Sequence, residues 1–200
     1  GHYYSNKAIG VPLLGIPVYW FLQHINPSSK EQPITNSERY IIRILTTPLP
    51  FSFLGVVLFR MACSWRATQR SALWMIFAYS FGSIALIHAT IFSGHQVAAC
   101  FAFFSFAIIF GLSQFQEMDN ESHLFQQLFK SFISGFFAGL SALADYTAMF
   151  IALSLTIYFF SLRLQSRQIL FFLLGGGFCA AILASYNYYC FGSIWTTSYS

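Results

Sequence analysis

The chain has 200 residues, of which Asp, Glu, Lys and Arg make up 8%, and its net charge is +4. Ordinary globular domains carry about 25% charged residues, whereas here 56% of the residues are hydrophobic and 25 are Phe. A soluble fold of this size cannot bury so much apolar surface, so the composition excludes a soluble domain and points to an integral membrane protein. The runs are apolar on every face, not alternating, which argues for helices over a transmembrane β-barrel. The small positive excess is spread over separate loops without a basic stripe, so nucleic acid is not an expected partner. Cys63, Cys100, Cys179 and Cys190 are scattered and form no Cys-x-x-Cys pair. They read as small buried hydrophobes, with neither a disulfide framework nor a metal site expected.

Apolar length and the position of charges set the elements in chain order. Residues 8–25 form the first apolar segment, with Pro12 and Pro17 inside it. Its 18 residues reach about 27 Å, and each proline removes a ladder hydrogen bond. A kinked, partly embedded interfacial helix is expected there. Residues 40–62 and 71–92 are expected to span the bilayer. Residues 96–112 span back after a short hairpin at Ser93-Gly94-His95. Residues 113–130, with Glu117, Asp119 and Glu121, read as a polar loop. Residues 131–162 would reach about 48 Å as one helix, too long for one upright span. A break at Asp145-Tyr146-Thr147 would divide them into two helices, and residues 169–190 form the last span. The expected division is an outer loop with the interfacial helix over 1–39, transmembrane helices over 40–190, and an outer loop over 191–200, all within one membrane domain. With no initiator Met and no signal peptide, the sequence reads as an internal fragment of a longer protein.

Arg60, Arg66 and Arg70 cluster between two spans, Lys130 precedes the broken segment, and Arg163 and Arg167 follow it. The positive-inside rule assigns these residues to the cytoplasm. Lys7, His95, Asp145 and residues 191–200 are then expected at the outer face.

Several side chains in this frame carry chemistry. Lys7 stands beside Tyr hydroxyls at the mouth of an apolar segment, which suits either an interfacial anchor or a contact to a lipid phosphate. Asp145 lies inside an apolar run, where a carboxylate costs about 2.5–3.5 kcal/mol; it is either a polar site at a helix break or a helix cap. Arg43 snorkels to the interface or helps neutralise a phosphate. His95 suits a hydrogen bond in a polar cleft, and His88 suits packing. A metal pair of the two would lack further ligands. Gly135-x-x-x-Gly139 and Gly175-Gly176-Gly177 permit close helix packing.

Four stretches share a further pattern. They are Gly1-His2-Tyr3-Tyr4-Ser5-Asn6-Lys7-Ala8-Ile9-Gly10-Val11-Pro12-Leu13-Leu14, Ala89-Thr90-Ile91-Phe92-Ser93-Gly94-His95, Gly139-Leu140-Ser141-Ala142-Leu143-Ala144-Asp145-Tyr146-Thr147-Ala148, and Tyr186-Asn187-Tyr188-Tyr189-Cys190-Phe191-Gly192-Ser193. In this order they resemble segments of GT-C type membrane glycosyltransferases, relatives of the protein O-mannosyltransferase and lipid A aminoarabinose transferase family. Members often have Pro at the position of Ile9, and Glu-Tyr-Pro where this chain has Asp145-Tyr146-Thr147. The resemblance implies an all-α polytopic bundle of GT-C type in the bacterial cytoplasmic membrane. It further implies sugar transfer, on the outer side, from a polyprenyl-phosphate donor to a lipid, glycan or protein acceptor. Lys7 and Arg43 would bind the donor phosphate. Tyr4, Asn6, His95, Asp145, Tyr146 and Asn187 would line the cavity. The catalytic carboxylate is expected upstream of Gly1. No cofactor is called for, and the participation of a divalent metal is left open. A transporter or flippase component using Asp145 as its intramembrane polar site is the alternative.

Overall fold

Pro12 and Pro17 do not stop the first helix. In the computed structural model, which describes residues 7–25, 34–114, 121–162 and 164–195 apart from the side chains of 121–123, α1 runs Gly10–Ile25 with Pro17 inside it. Pro12 falls in the first turn, where its missing N–H would have no intrahelical partner anyway. The secondary structure of the described residues is entirely helical.

The second helix, α2 (Asn36–Thr46), starts four residues before the expected span and ends inside it. Its start is a capping box. The Glu38 backbone N–H donates to Thr35 Oγ1 at 3.3 Å, and Glu38 Oε2 accepts from the Thr35 backbone N–H at 2.8 Å. The helix stops at Thr47, whose backbone (φ −121°, ψ −59°) precedes Pro48, the first residue of α3 (Pro48–Ser64). A residue before proline is pushed out of regular α geometry. The expected single helix over 40–62 is therefore two helices joined at Thr47, within a 29-residue apolar run, Asn36–Ser64.

The expected span over 71–92 is also divided. Helix α4 covers Gln69–Gly82 and α5 covers Ala85–Thr90. Ser83 makes the break: its hydroxyl donates to the Tyr79 carbonyl at 2.6 Å and accepts from the Ala85 N–H at 3.2 Å. That local bonding competes with the helical ladder. Neither piece reaches the roughly 20 residues a bilayer requires.

After α6 (Gly94–Gln114) comes α7 (Glu121–Ala144), which begins ten residues earlier than the expected polar loop allowed. Helix α8 (Met149–Ser161) and helix α9 (Ser166–Phe191) complete the order. Among the described residues four helical runs are long and apolar enough to cross a membrane: Asn36–Ser64, Gly94–Gln114, Leu124–Ala144 and Ser166–Phe191. With 13 residues, α8 reaches about 20 Å, short of the hydrocarbon thickness of about 30 Å.

The chain divides into two compact units, one formed by Gly10–Val97 and the other by Gly1–Ile9 with Ala98–Ser200. In the first, Gly15 of α1 admits Ile42 of α2, and Gly55 of α3 faces Ile76 of α4. Gln96 donates to the Tyr79 hydroxyl at 3.1 Å.

In the second unit α7 and α9 lie side by side and parallel. Gln127 pairs with Gln168, Gly135 meets Phe172, and Gly139 meets Cys179, so the residue numbers rise together along both helices. Helix α8 is the return limb, and Phe159 stacks on Phe172 with ring centroids 4.2 Å apart. Helix α6 runs against α7, with Phe101 stacked on Phe137 at 5.7 Å. The centre of this unit holds Ile109, Leu155, Phe159 and Phe172. Ser131, Ser134 and Ser141 are fully buried on α7, and each satisfies its hydroxyl on a carbonyl one turn back. Small side chains let the backbones approach closely, which is how helices associate where lipid supplies no hydrophobic drive.

Candidate functional site

Asp145 occupies the break between α7 and α8. Its N–H still bonds to the Ser141 carbonyl at 3.1 Å, while its own backbone (φ −151°, ψ 122°) leaves the helix. Its Oδ1 accepts from the Thr147 backbone N–H at 3.0 Å and from the Thr147 hydroxyl at 2.9 Å. Asp145 thus caps the 3-10 turn Tyr146–Ala148 that leads into α8. Capping is one of the two roles open to it from sequence, and the geometry realises it. The carboxylate is half-buried, as is Tyr146 beside it.

Asn187 is placed by the end of α9. Gly192 adopts a left-handed conformation (φ 71°) and its N–H returns to the Tyr188 carbonyl at 2.9 Å. The chain then doubles back. Asn187 Nδ2 donates to the Ile194 carbonyl at 3.3 Å, while its Oδ1 is buried without a hydrogen-bond partner. Because α7 and α9 are parallel, the Asp145 break and the Asn187 turn lie at the same end of this unit. Lys7, exposed at the entry to α1, is grouped with the same unit. Tyr4 and Asn6, with Glu117, Asp119 and Arg163, lie outside the described residues, as does the side chain of Glu121.

Arg43 and His95 belong to the other unit. Arg43 is half-buried, with its guanidinium carbon 5.5 Å from the centroid of the Tyr40 ring. It lines a cleft of about 420 Å³ with Arg39, Tyr40, Asn36, Ile34, Ile42 and Phe92. Arg39 escaped the sequence reading because the span boundary was drawn at Tyr40. The signal was present in the Arg39-x-x-x-Arg43 spacing, which puts both side chains on one helix face. The Thr35-Asn36-Ser37-Glu38 capping box that starts this helix was legible in the same way.

His95 and His88 come together, with ring centroids 5.6 Å apart and nearly perpendicular. His88 Nδ1 is buried without a hydrogen-bond partner. Among the described residues no three His, Cys, Asp or Glu side chains gather as a metal site would require. A second cleft, of about 450 Å³, opens between α7, α8 and α9 beside Gly139, Met149, Thr156 and Leu183, and its walls are apolar.

No protein-family model matches this chain, and no curated protein or solved structure matches it either.

Proposed function

We propose that this chain belongs to a membrane-embedded glycosyltransferase of GT-C type, moving a sugar from a polyprenyl-phosphate carrier to an acceptor on the outer side of a bacterial cytoplasmic membrane. The observation that carries this reading is the shared end of α7 and α9. The two resemblance segments around Asp145 and Asn187 are far apart in sequence, yet each contains the polar terminus of a helix, that of α7 at Asp145 and that of α9 at Gly192, and the two termini lie at one end of a parallel helix pair. Irregular polar backbone among membrane helices is tolerated where it lines a cavity or is buried in protein, and a lipid-linked donor has to be met at such a boundary.

In the reaction the bond between the sugar and the carrier phosphate breaks, and the acceptor hydroxyl oxygen forms the new bond. Negative charge grows on the departing phosphate, and cations aimed at it lower the barrier. Lys7 and Arg43 take that role in this proposal. The resemblance, and not the packing of the helices, is what assigns Tyr4, Asn6, His95, Asp145, Tyr146 and Asn187 to the lining of a polar cavity. The base that takes the acceptor proton is the carboxylate that the resemblance assigns to a loop ahead of the Tyr-Tyr-Ser stretch.

The test is a transfer assay on membranes containing the full-length protein, with a polyprenyl-phosphate-linked radiolabelled sugar and the native envelope as acceptor. Label should appear in the acceptor and free carrier phosphate should be released in equal amount. Release of neither product from any such donor would remove the reading.

A further inference from the structure

We infer that the cleft walled by Arg39, Tyr40 and Arg43 is a binding site for the phosphate of a lipid head group. The two arginines are one helical turn apart on α2, and a like-charged pair at this spacing repels itself. Among the described residues the lining of the cleft contains no acidic side chain to relieve that repulsion. Glu38, the acidic residue of α2, is 8% exposed and is not among the lining residues, its Oε2 accepting from the Thr35 N–H and hydroxyl at 2.8 and 2.9 Å. Two guanidinium groups with free donor edges are suited to bidentate contact with phosphate oxygens. The Tyr40 ring under the Arg43 guanidinium fixes one of them while leaving its N–H edge available.

The remaining walls specify a lipid over a soluble anion. Besides Asn36 they are the apolar Ile34, Ile42 and Phe92, and the arginine pair stands near the beginning of the Asn36–Ser64 run, three to seven residues into it. At 1.5 Å per residue this puts the cationic pair within about 10 Å of the polar end of a membrane-length helix. Head-group phosphates occupy that depth, with their tails running along the apolar part of the same helix. The ligand class is a phosphate ester carrying a hydrocarbon tail. Polyprenyl phosphate and a glycerophospholipid share that chemistry. Only the first depends on the sugar-transfer reading.

The experiment is equilibrium binding to the purified full chain in nanodiscs of phosphatidylcholine, read as lipid retained in native mass spectrometry. Polyprenyl phosphate, phosphatidic acid, unphosphorylated polyprenol and inorganic phosphate are offered separately. One or both phosphorylated lipids should be retained, and polyprenol should not. Arg39→Gln and Arg43→Gln should each weaken retention roughly tenfold or more, since hydrogen bonds to charged groups are lost. Arg39→Lys should recover part of it, which separates a lost contact from a lost fold. Retention of phosphatidic acid alone supports the site and removes Arg43 from the transfer reaction. Retention unaffected by either Gln variant, or inorganic phosphate bound as tightly as the lipids, overturns the inference. Neither readout requires sugar transfer, so failure of that activity leaves this result intact.

Discussion

Gly139 of α7 and Cys179 of α9 touch so closely that a Cβ added to Gly139 would stand 2.6 Å from the Cys179 Cβ and 3.0 Å from its Sγ. Cys179 in turn points its thiol at the Phe136 carbonyl, 3.5 Å away. The contact belongs to a row in which Gly135 and Gly175 meet backbone atoms of the opposite helix. The parallel course of α7 and α9, and with it the shared end occupied by Asp145 and Asn187, depends on this row.

Gly139→Ala should therefore lower stability by about 1–3 kcal/mol, the usual range for overpacking a well-filled contact. Thermal unfolding in detergent would measure it. Gly177→Ala on the outer side of α9, where an added Cβ meets nothing within 4 Å, serves as the control. It should be neutral or slightly stabilising, because alanine favours the helix over glycine. Cys179→Gly combined with Gly139→Ala should recover part of the loss, since it removes the atoms that clash. Equal stability of the parent and the Gly139→Ala protein would mean that the two helices are not in contact there.

Arg66 sits in the left-handed region at φ 64°. It closes α3 with a wrapped turn in which the Ala67 N–H reaches back to the Ala62 carbonyl at 3.1 Å. Left-handed backbone costs a non-glycine residue about 1–2 kcal/mol, and glycine offsets part of that gain through its freer unfolded chain. Arg66→Gly is expected to leave stability unchanged or raise it by up to about 1 kcal/mol, measured by the same melts. A clear loss would show that the guanidinium has a structural partner.

The two prolines of α1 and the divided spans show where hydropathy informs and where it does not. Hydropathy measures the cost of transferring side chains, and among the described residues it located the four membrane-length runs but also counted 71–92 as a span, which the structure divides into two short helices. It carries no information on backbone hydrogen bonds. The Thr47-Pro48 join and the Ser83 break therefore passed unnoticed inside apolar runs, although proline and a back-bonding serine are their visible causes. The break at Asp145 was legible because an ionisable side chain in an apolar run is costly enough to demand a local reason. The first turns of α7 were hidden for the opposite cause: Gln126, Gln127 and Lys130 look like a loop until Gln127 is seen bonding to Gln168 across the helix pair. At the candidate site, residue type singled out Asp145 and the resemblance singled out Asn187, but only the parallel packing of α7 and α9 put them at one end.

Asp145 separates the two function classes considered for this chain. Its visible work is to accept two hydrogen bonds from Thr147. Asparagine can make both through its amide oxygen, whereas alanine makes neither. Asp145→Ala should cost about 0.5–2 kcal/mol, as lost caps do, and Asp145→Asn distinctly less. If the protein transfers sugar with Asp145 as a cavity wall, Asp145→Asn should keep a substantial part of the transfer rate. A proton- or ion-coupled transporter would lose coupling entirely in the same variant, because the charge itself is what it uses. Abolished function with unchanged stability in Asp145→Asn would favour the transporter.

Lys7 bears most directly on the proposed chemistry. It is exposed at the entry to α1, next to the buried Ile9 and the first turn of that helix. In the proposed reaction an ammonium at this point would contribute more as charge grows on the leaving phosphate oxygen. Hydrogen bonds to charged groups contribute roughly 1.5–3 kcal/mol. If the proposed transfer reaction holds, Lys7→Ala is therefore expected to slow it about tenfold to a hundredfold. Lys7→Arg should retain part of the rate, since one singly placed contact depends more on charge than on shape. A melting temperature measured beside the rates separates a loss of transfer from a loss of fold, since Lys7 is exposed at the helix entry. The decisive comparison is kcat against KM for a polyprenyl-phosphate-linked sugar. A phosphate contact that tightens in the transition state lowers kcat, whereas one made equally to the bound donor raises KM alone. Parental values of both in Lys7→Ala would leave Lys7 as an interfacial anchor and assign the carrier phosphate elsewhere.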